Sequence, residues 1–200
     1  IFGMNILIPT VTKALQSNLL AASGQVDVTI TTKSSDSFDE SVLAKVNSIS
    51  GVRVASGLLS RTINIPDDFY GHGIKVGAVT LNGIDPKAAQ LLRDYPIKEG
   101  RFLRASDENR TVIAASLADL LGLKLGDKLF LPMPVGVVKL TIVGLRPARA
   151  LTGNEQVLVT LADAQKWFDQ SASINAMEAN LDTTDQTQRD AIQNEIQRRL

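Results

Sequence analysis

The stretch DDFYGHG contains the only histidine of the chain, His72, together with Asp67 and Asp68. An imidazole close to carboxylates is suited to general-base catalysis, as in a hydrolase, or to metal binding. A zinc site normally draws on several histidines or cysteines, and the chain has no second histidine and no cysteine. Glycines on both sides of His72 indicate a loop tip. We therefore interpret this stretch as a surface loop and predict no catalytic or metal-binding residue in it.

The most patterned stretch is SLADLLGLKLGDKLFLP, residues 116–132. A phosphate-binding loop would need the order G-x-x-x-x-G-K-[ST], which is absent. Ser116 is instead placed to cap a helical turn and Gly122 to end it in the left-handed conformation. Gly126 and Asp127 then form a tight turn into a strand. The motif predicts backbone geometry and no cofactor site.

No serine or carboxylate completes a catalytic set. The acidic pair Asp107 and Glu108 is typical of a solvated turn, and no G-x-S-x-G motif with a histidine base occurs. We predict that the domain is not an enzyme and needs no cofactor.

Two apolar groups are candidates for contact with a partner. In the histidine loop, Phe69 and Tyr70 either anchor a partner or fold back onto the core. The second group lies at the tip of a predicted hairpin and is either an exposed contact surface or a buried hairpin end. Its residues are Pro132, Met133, Pro134 and Val135.

Composition excludes some classes of protein. The 21 basic and 21 acidic residues cancel, and no long Lys/Arg cluster occurs, which argues against nucleic-acid binding. The absence of cysteine excludes disulfides and thiolate metal sites and fits an extracytoplasmic location.

Hydrophobic periodicity predicts a β-α-β unit near the start of the chain. Val28 and Ile30 alternate with polar residues, and a helix follows in which Ser37 and Glu40 have capping-box spacing. A long strand then covers about 52–65.

A second unit of this kind is predicted near the end. The strand EQVLVTL leads to a helix capped by Thr160 and Asp163, then to the strand INAMEANL and to a helix capped by Thr183 and Gln186. Between the two ends lie mostly strands, including the hairpin KLFLPMPVGVVKLTIVG, and a short helix after Asp85 and Pro86. These patterns predict an α+β fold in which an α/β lobe is interrupted by a mostly β lobe.

The first 23 residues are interpreted as helical. Residues 2–9 are apolar but too few to span a bilayer, which takes about 20 residues. Val11, Leu15 and Leu19 recur at helical spacing. The segment is either an amphipathic helix packed on the domain or the continuation of a transmembrane helix.

Three segments, taken in order, resemble a known family. They are IKEGRFLRASDENRTVIAASLADLLGLKLGDKLFL, VVKLTIVGL and VLVTLADAQKWF. They look like the extracytoplasmic core domain of MacB/FtsX/LolE-type ABC transporter permeases, over roughly residues 24–185. Many relatives have a proline before the last of these helices, where this chain has Val159 and Thr160. The resemblance therefore leaves the subgroup open.

The resemblance implies a two-lobed domain between two membrane helices, at the cell membrane on its extracytoplasmic side. Residues 1–23 would be a helical stub extending the first membrane helix. A Porter-like lobe would comprise 24–65 and 152–200, and a Sabre-like lobe would comprise 66–151. The domain would transmit ATP-driven movement of membrane helices during transport.

The implied partners are a cytoplasmic ATP-binding subunit, which would carry the ATPase activity, and a second permease subunit. An extracytoplasmic adaptor or substrate protein is a further candidate. The alternative to this function is a free-standing ligand-binding domain with a cleft between its lobes.

Overall fold

The computed structural model describes residues 4–7, 26–31, 37–148 and 155–200. They form two compact units. The first unit comprises the described residues within 1–58, Ala88–Asp94 and Ala172–Leu200. The second comprises Leu59–Lys87 and the described residues within 95–171. Across these described ranges, no helix combines the length and the apolar character that crossing a bilayer requires.

The described residues form strands joined by short helices. The strands are β1 (Met4–Leu7), β2 (Val28–Thr31), β3 (Phe38–Asp39), β4 (Val52–Asn64), β5 (Ala78–Ile84), β6 (Glu99–Gly100), β7 (Arg110–Ala114), β8 (Lys128–Met133), β9 (Gly136–Arg146), β10 (Glu155–Thr160), β11 (Ser173–Ile174) and β12 (Ala176–Leu181). The helices are α1 (Val42–Asn47), α2 (Pro86–Leu92), α3 (Ala115–Leu121), α4 (Leu161–Trp167) and α5 (Gln186–Arg199). This mixture confirms the predicted α+β class.

In the first unit the strand order is β1-β2-β12-β4. Strand β1 is parallel to β2, and β12 is antiparallel to both β2 and β4. Strands β2 and β4 therefore run in the same direction and are joined through α1, as the predicted β-α-β unit requires. The periodicity does not show that the late strand β12 lies between them.

The start of α1 differs from the prediction. The capping box at Ser37 and Glu40 is wrong, because the helix begins at Val42. Phe38 and Asp39 pair with β11 instead, and the Asp39 carboxylate accepts a hydrogen bond of 2.7 Å from the amide of Ser41. Pairing with a distant strand thus overrides the local helix signal.

Most of the predicted N-terminal helix, residues 1–3 and 8–23, lies outside the described residues. For Met4–Leu7 the prediction needs correction, since this segment is strand β1 and pairs with β2. Gly3 and Pro9, which flank it in the sequence, are poor helix formers.

The second unit is built on the strand order β4-β5-β10-β7-β9-β6, and β8 also pairs with β9. Parallel pairs (β5 with β10, β7 with β9) alternate with an antiparallel pair (β10 with β7). Strands β8 and β9 form the predicted antiparallel hairpin. Its inward residues Leu129, Leu131, Leu140 and Ile142 are at most 1% exposed and belong to the core of this unit.

Of the five helix caps predicted from the sequence, those of α2 and α4 are present. The Thr160 hydroxyl accepts from the amide of Asp163 at the start of α4, and the Asp85 carboxylate accepts from the amide of Lys87 at the start of α2. For α5 the predicted Thr183 cap is wrong. Asp185 is the cap, and its carboxylate accepts from the amide of Gln188 at 2.9 Å.

The bounds of the two units differ from the lobes that the resemblance implies. Helix α4 and strand β10 lie in the second unit, and Ala88–Asp94 lies in the first.

Gly83 on β5 allows α4 to pack closely, because a Cβ atom at this position would collide with the Cβ atom of Ala164. We expect Gly83→Ala to lower the free energy of unfolding by about 1–3 kcal/mol through overpacking. Urea denaturation of the domain measures this. In an Ala164→Gly background the same substitution should cost clearly less, and an equal cost in both backgrounds would contradict the packing explanation.

Candidate functional site

The turn at Gly126 and Asp127 is stabilised by hydrogen bonds with the backbone. The Asp127 carboxylate accepts a hydrogen bond of 2.8 Å from the amide of Lys124, and the amide of Gly126 donates to the carbonyl of Ile142. Gly122 ends α3 in the left-handed conformation, with φ of 64°. Ser116 does not cap α3, which corrects that prediction. Its hydroxyl donates to the carboxylate of Glu155 at 3.0 Å.

The histidine loop brings no catalytic set together. His72 is exposed with a positive φ of 52°, between two glycines that also have positive φ. Asp67 forms an exposed ion pair of 2.7 Å with Lys75. Within the described ranges no group of three or more histidine or acidic residues is placed to hold a metal ion.

A cleft of about 230 Å³ in the second unit is lined in part by Asp107, Asp163 and Lys166. Burial raises the pKa of Asp163, and this shift is partly offset because its carboxylate accepts a bond of 2.7 Å from the amide of Asn109. Hydrogen bonds from the Arg101 guanidinium lower the pKa of Asp107. Both carboxylates already hold the loop before β7, so they are structural groups here.

Phe69 and Tyr70 pack against the core of the second unit and are partly buried. Their rings meet edge to face, with centroids 4.9 Å apart. The Tyr70 hydroxyl donates a hydrogen bond of 2.6 Å to the carbonyl of Phe130 on β8. Of the two interpretations from the sequence, the structure favours folding back onto the core for this pair.

The hairpin candidates separate into two groups. Met133 is 7% exposed and Pro132 is partly covered, whereas Pro134 and Val135 are exposed at the tip. The outer face of the hairpin adds two apolar residues that the sequence analysis missed, Phe130 and Val137. Alternation in KLFLPM and VVKLTI could have identified them, because they fall on the face opposite the core residues.

In the first unit, an ion pair links α5 to the residue that precedes β2. The Arg189 guanidinium lies 2.9 Å from one carboxylate oxygen of Asp27, and their side chains are 9% and 23% exposed. The other Asp27 oxygen accepts from the amide of Leu181 at 2.8 Å, and the Asp27 amide donates to the side chain of Asn180. The sequence patterns considered above do not predict this cluster.

Further contacts fix the same helix. Ile196 is fully buried, and Ile192 lies against the backbone at Gly51. Arg189 shares the helical stripe of these two isoleucines at spacings of three and seven residues. A charged residue within an apolar stripe is a signal that could have predicted a buried partner for it.

Solved structures with the same fold come from transporter proteins. The extracellular domain of the noncanonic ABC-type transporter YknZ from Gram-positive bacteria matches with a TM-score of 0.58 and 15% identity, covering 76% of this chain and 77% of that chain. The periplasmic region of MacB from Actinobacillus actinomycetemcomitans matches with a TM-score of 0.58 and 13% identity, covering 80% of this chain and 72% of that chain. No curated protein matches the sequence.

The sequence profile of the MacB-like periplasmic core domain matches residues 1–199. The chain therefore belongs to this family, which confirms the resemblance to the extracytoplasmic domains of ABC transporter permeases.

We expect stability to fall in acid where Asp107 becomes protonated. Its pKa in the folded state lies below the usual 3.8, so its contribution is present at higher pH and is lost as the pH falls through that lowered pKa. Asp107→Asn should cost about 1–3 kcal/mol at pH 7. Denaturation of both proteins from pH 7 to pH 3 should show the difference shrinking. Asp67→Asn, at an exposed pair, is the control and should have little effect at any pH.

Burial raises the pKa of Tyr70 from 10.0 to about 12. The chain has two tyrosines, so Tyr95→Phe leaves Tyr70 as the single phenol. Ultraviolet absorbance of this variant should show a titration centred near pH 12. A midpoint near 10.0, in a protein that circular dichroism shows to be folded, would contradict the buried position of this ring.

Proposed function

We propose that this domain transmits ATP-driven movement of membrane helices to the outside of the membrane, as part of a transporter permease. A cytoplasmic ATP-binding subunit supplies the energy, and a second permease subunit provides the opposing domain. The domain itself has no catalytic role in this proposal. Family membership supports the permease assignment.

The attachment of α5 carries the proposal. The Asp27–Arg189 pair joins the residue preceding β2 to a helix that follows β12, 162 positions later in the chain. Force arriving through the segment before β2 or through α5 therefore reaches one packed unit. A partly buried, hydrogen-bonded charge pair suits this role because breaking it leaves an uncompensated charge.

The two units are proposed to correspond to the two lobes of the family. The first unit contains described residues from both the early and the late parts of the chain, as the Porter-like lobe would. The second is formed mainly by the residues between them, as an inserted Sabre-like lobe would be. In this proposal the Porter-like lobe has the bounds of the first unit, and the Sabre-like lobe has those of the second.

A transmitting domain acts through contacts that differ between its two states. The exposed tip residues Pro134 and Val135 remain candidates for such contacts. Phe69 and Tyr70 are proposed to support the hairpin from below, through the bond of Tyr70 to the Phe130 carbonyl.

We expect Arg189→Gln to uncouple the domain from ATP hydrolysis. The substitution leaves Asp27 without its cation and should cost about 1.5–3 kcal/mol of domain stability. A spin label on a cysteine introduced at the exposed Asp182 reports the movement in a full-length transporter in which cysteines outside this cysteine-free sequence are replaced by serine. ATP should change the distance between labels on two permease subunits, and Arg189→Gln should reduce that change while hydrolysis continues.

Arg198→Gln on the same helix is the matched control, since Arg198 is 75% exposed and forms an ion pair with Glu195 one helical turn away. It should leave the distance change intact. An unchanged distance response in a stably folded Arg189→Gln protein would show that movement does not pass through α5. No distance change in the unmodified transporter would refute mechanotransmission itself.

A further inference from the structure

The outer face of the β8–β9 hairpin is apolar at its centre. We define the hairpin face as Phe130, Pro132, Val135 and Val137 together with the flanking Lys128 and Lys139. Phe130, Val135 and Val137 are 42%, 59% and 62% exposed. Pro132 is directly opposite Val137 in the strand register, and Phe130 is opposite Lys139. An exposed cluster of this kind, with polar residues at its border, is typical of a contact surface.

The hairpin face is held rigidly from beneath. Leu129, Leu131 and Met133 point into the core, and the Tyr70 hydroxyl binds the carbonyl of Phe130. The turn between paired residues Met133 and Gly136 has only two residues, of which Pro134 has a restricted φ. A surface that is already ordered loses little conformational entropy on binding.

The charge of this face has one sign. Residues 128–146 contain three basic residues and no acidic residue, although the whole chain has no net charge. Lys139 lies 5.8 Å from the centre of the Phe130 ring, and Lys128 bonds to the hydroxyl of Thr141. Among the residues that the structure describes, neither lysine forms an ion pair with a carboxylate.

We propose that the hairpin face binds a segment of a partner protein in which apolar side chains are flanked by carboxylates. The apolar side chains would cover Phe130 and Val137, and the carboxylates would pair with Lys128 and Lys139. An aromatic residue at the core of a contact is typical of protein–protein interfaces, and complementary charges across an interface favour one partner over others.

Two other occupants fit less well. A second copy of the same face would place lysines against lysines, which costs free energy. Attraction to an anionic membrane contributes only about 1 kcal/mol of binding free energy per basic residue. Two lysines are fewer than the four to eight typical of lipid-binding clusters. Both occupants are outcomes of the experiment below.

This inference rests on the proposed function only in assigning the partner to the extracytoplasmic side. Its test does not depend on movement, and the spin-label experiment does not depend on the hairpin. Failure of one is therefore distinguishable from failure of the other.

The test is site-specific photo-cross-linking in the full-length protein in its own cells. The photoreactive amino acid p-benzoylphenylalanine replaces Val137, and the cross-linked peptide is identified by mass spectrometry. In the matched control, p-benzoylphenylalanine replaces Leu91, which is 68% exposed but lies on α2. A second protein carries Lys128→Glu and Lys139→Glu, and a third carries Lys128→Arg and Lys139→Arg.

The expected adduct is one protein segment that contains more acidic than basic residues and is not obtained from position 91. Its yield should fall about tenfold in the glutamate variant and persist in the arginine variant, because the contact depends on charge. An adduct with lipid or with a second copy of this chain would overturn the proposal. So would equal yields from the glutamate and wild-type proteins, a basic segment, or no adduct at position 137.

Discussion

A carboxylate placed where water has little access needs partners, and in the first unit this requirement organises the structure around Asp27. Its two oxygens and its amide bind Arg189, Leu181 and Asn180, which belong to the last helix and the last long strand. Asn180 in turn donates to the carbonyl of Leu92 at the end of α2. Removing any member leaves a polar group unsatisfied. The polar contacts of Asp27 therefore link three segments of the first unit that are far apart in the chain.

In the second unit, two aspartates bind groups that are close to them in the chain. Asp127 binds an amide three residues away, and Asp107 binds the amide of Arg104 as well as the Arg101 guanidinium. These aspartates stabilise turns between strands and leave the apolar alternation to form the core. Both carboxylates thus accept hydrogen bonds from backbone amides three residues away.

The sequence predicts elements whose signals are local. The hairpin, the β-α-β unit and the Thr160 cap depend on alternation or on contacts within four residues, and all three are present. Local signals do not predict the absence of a cap at Ser37 or the position of β12, because both depend on pairing between strands far apart in the chain. The candidate surface was predicted in part. Alternation separates the two faces of the hairpin but does not indicate that the face with Phe130 stays uncovered.

The position of β12 between β2 and β4 has a consequence for biosynthesis. Val28 pairs with Ala179, so β2 lacks its second neighbour until about 150 more residues have left the ribosome. At typical translation speeds this takes roughly 10–30 s. All of the second unit is synthesised in that interval, so it has time to fold while the first unit is still incomplete. The nascent chain therefore exposes an unpaired strand edge, which is prone to aggregation, until β12 emerges.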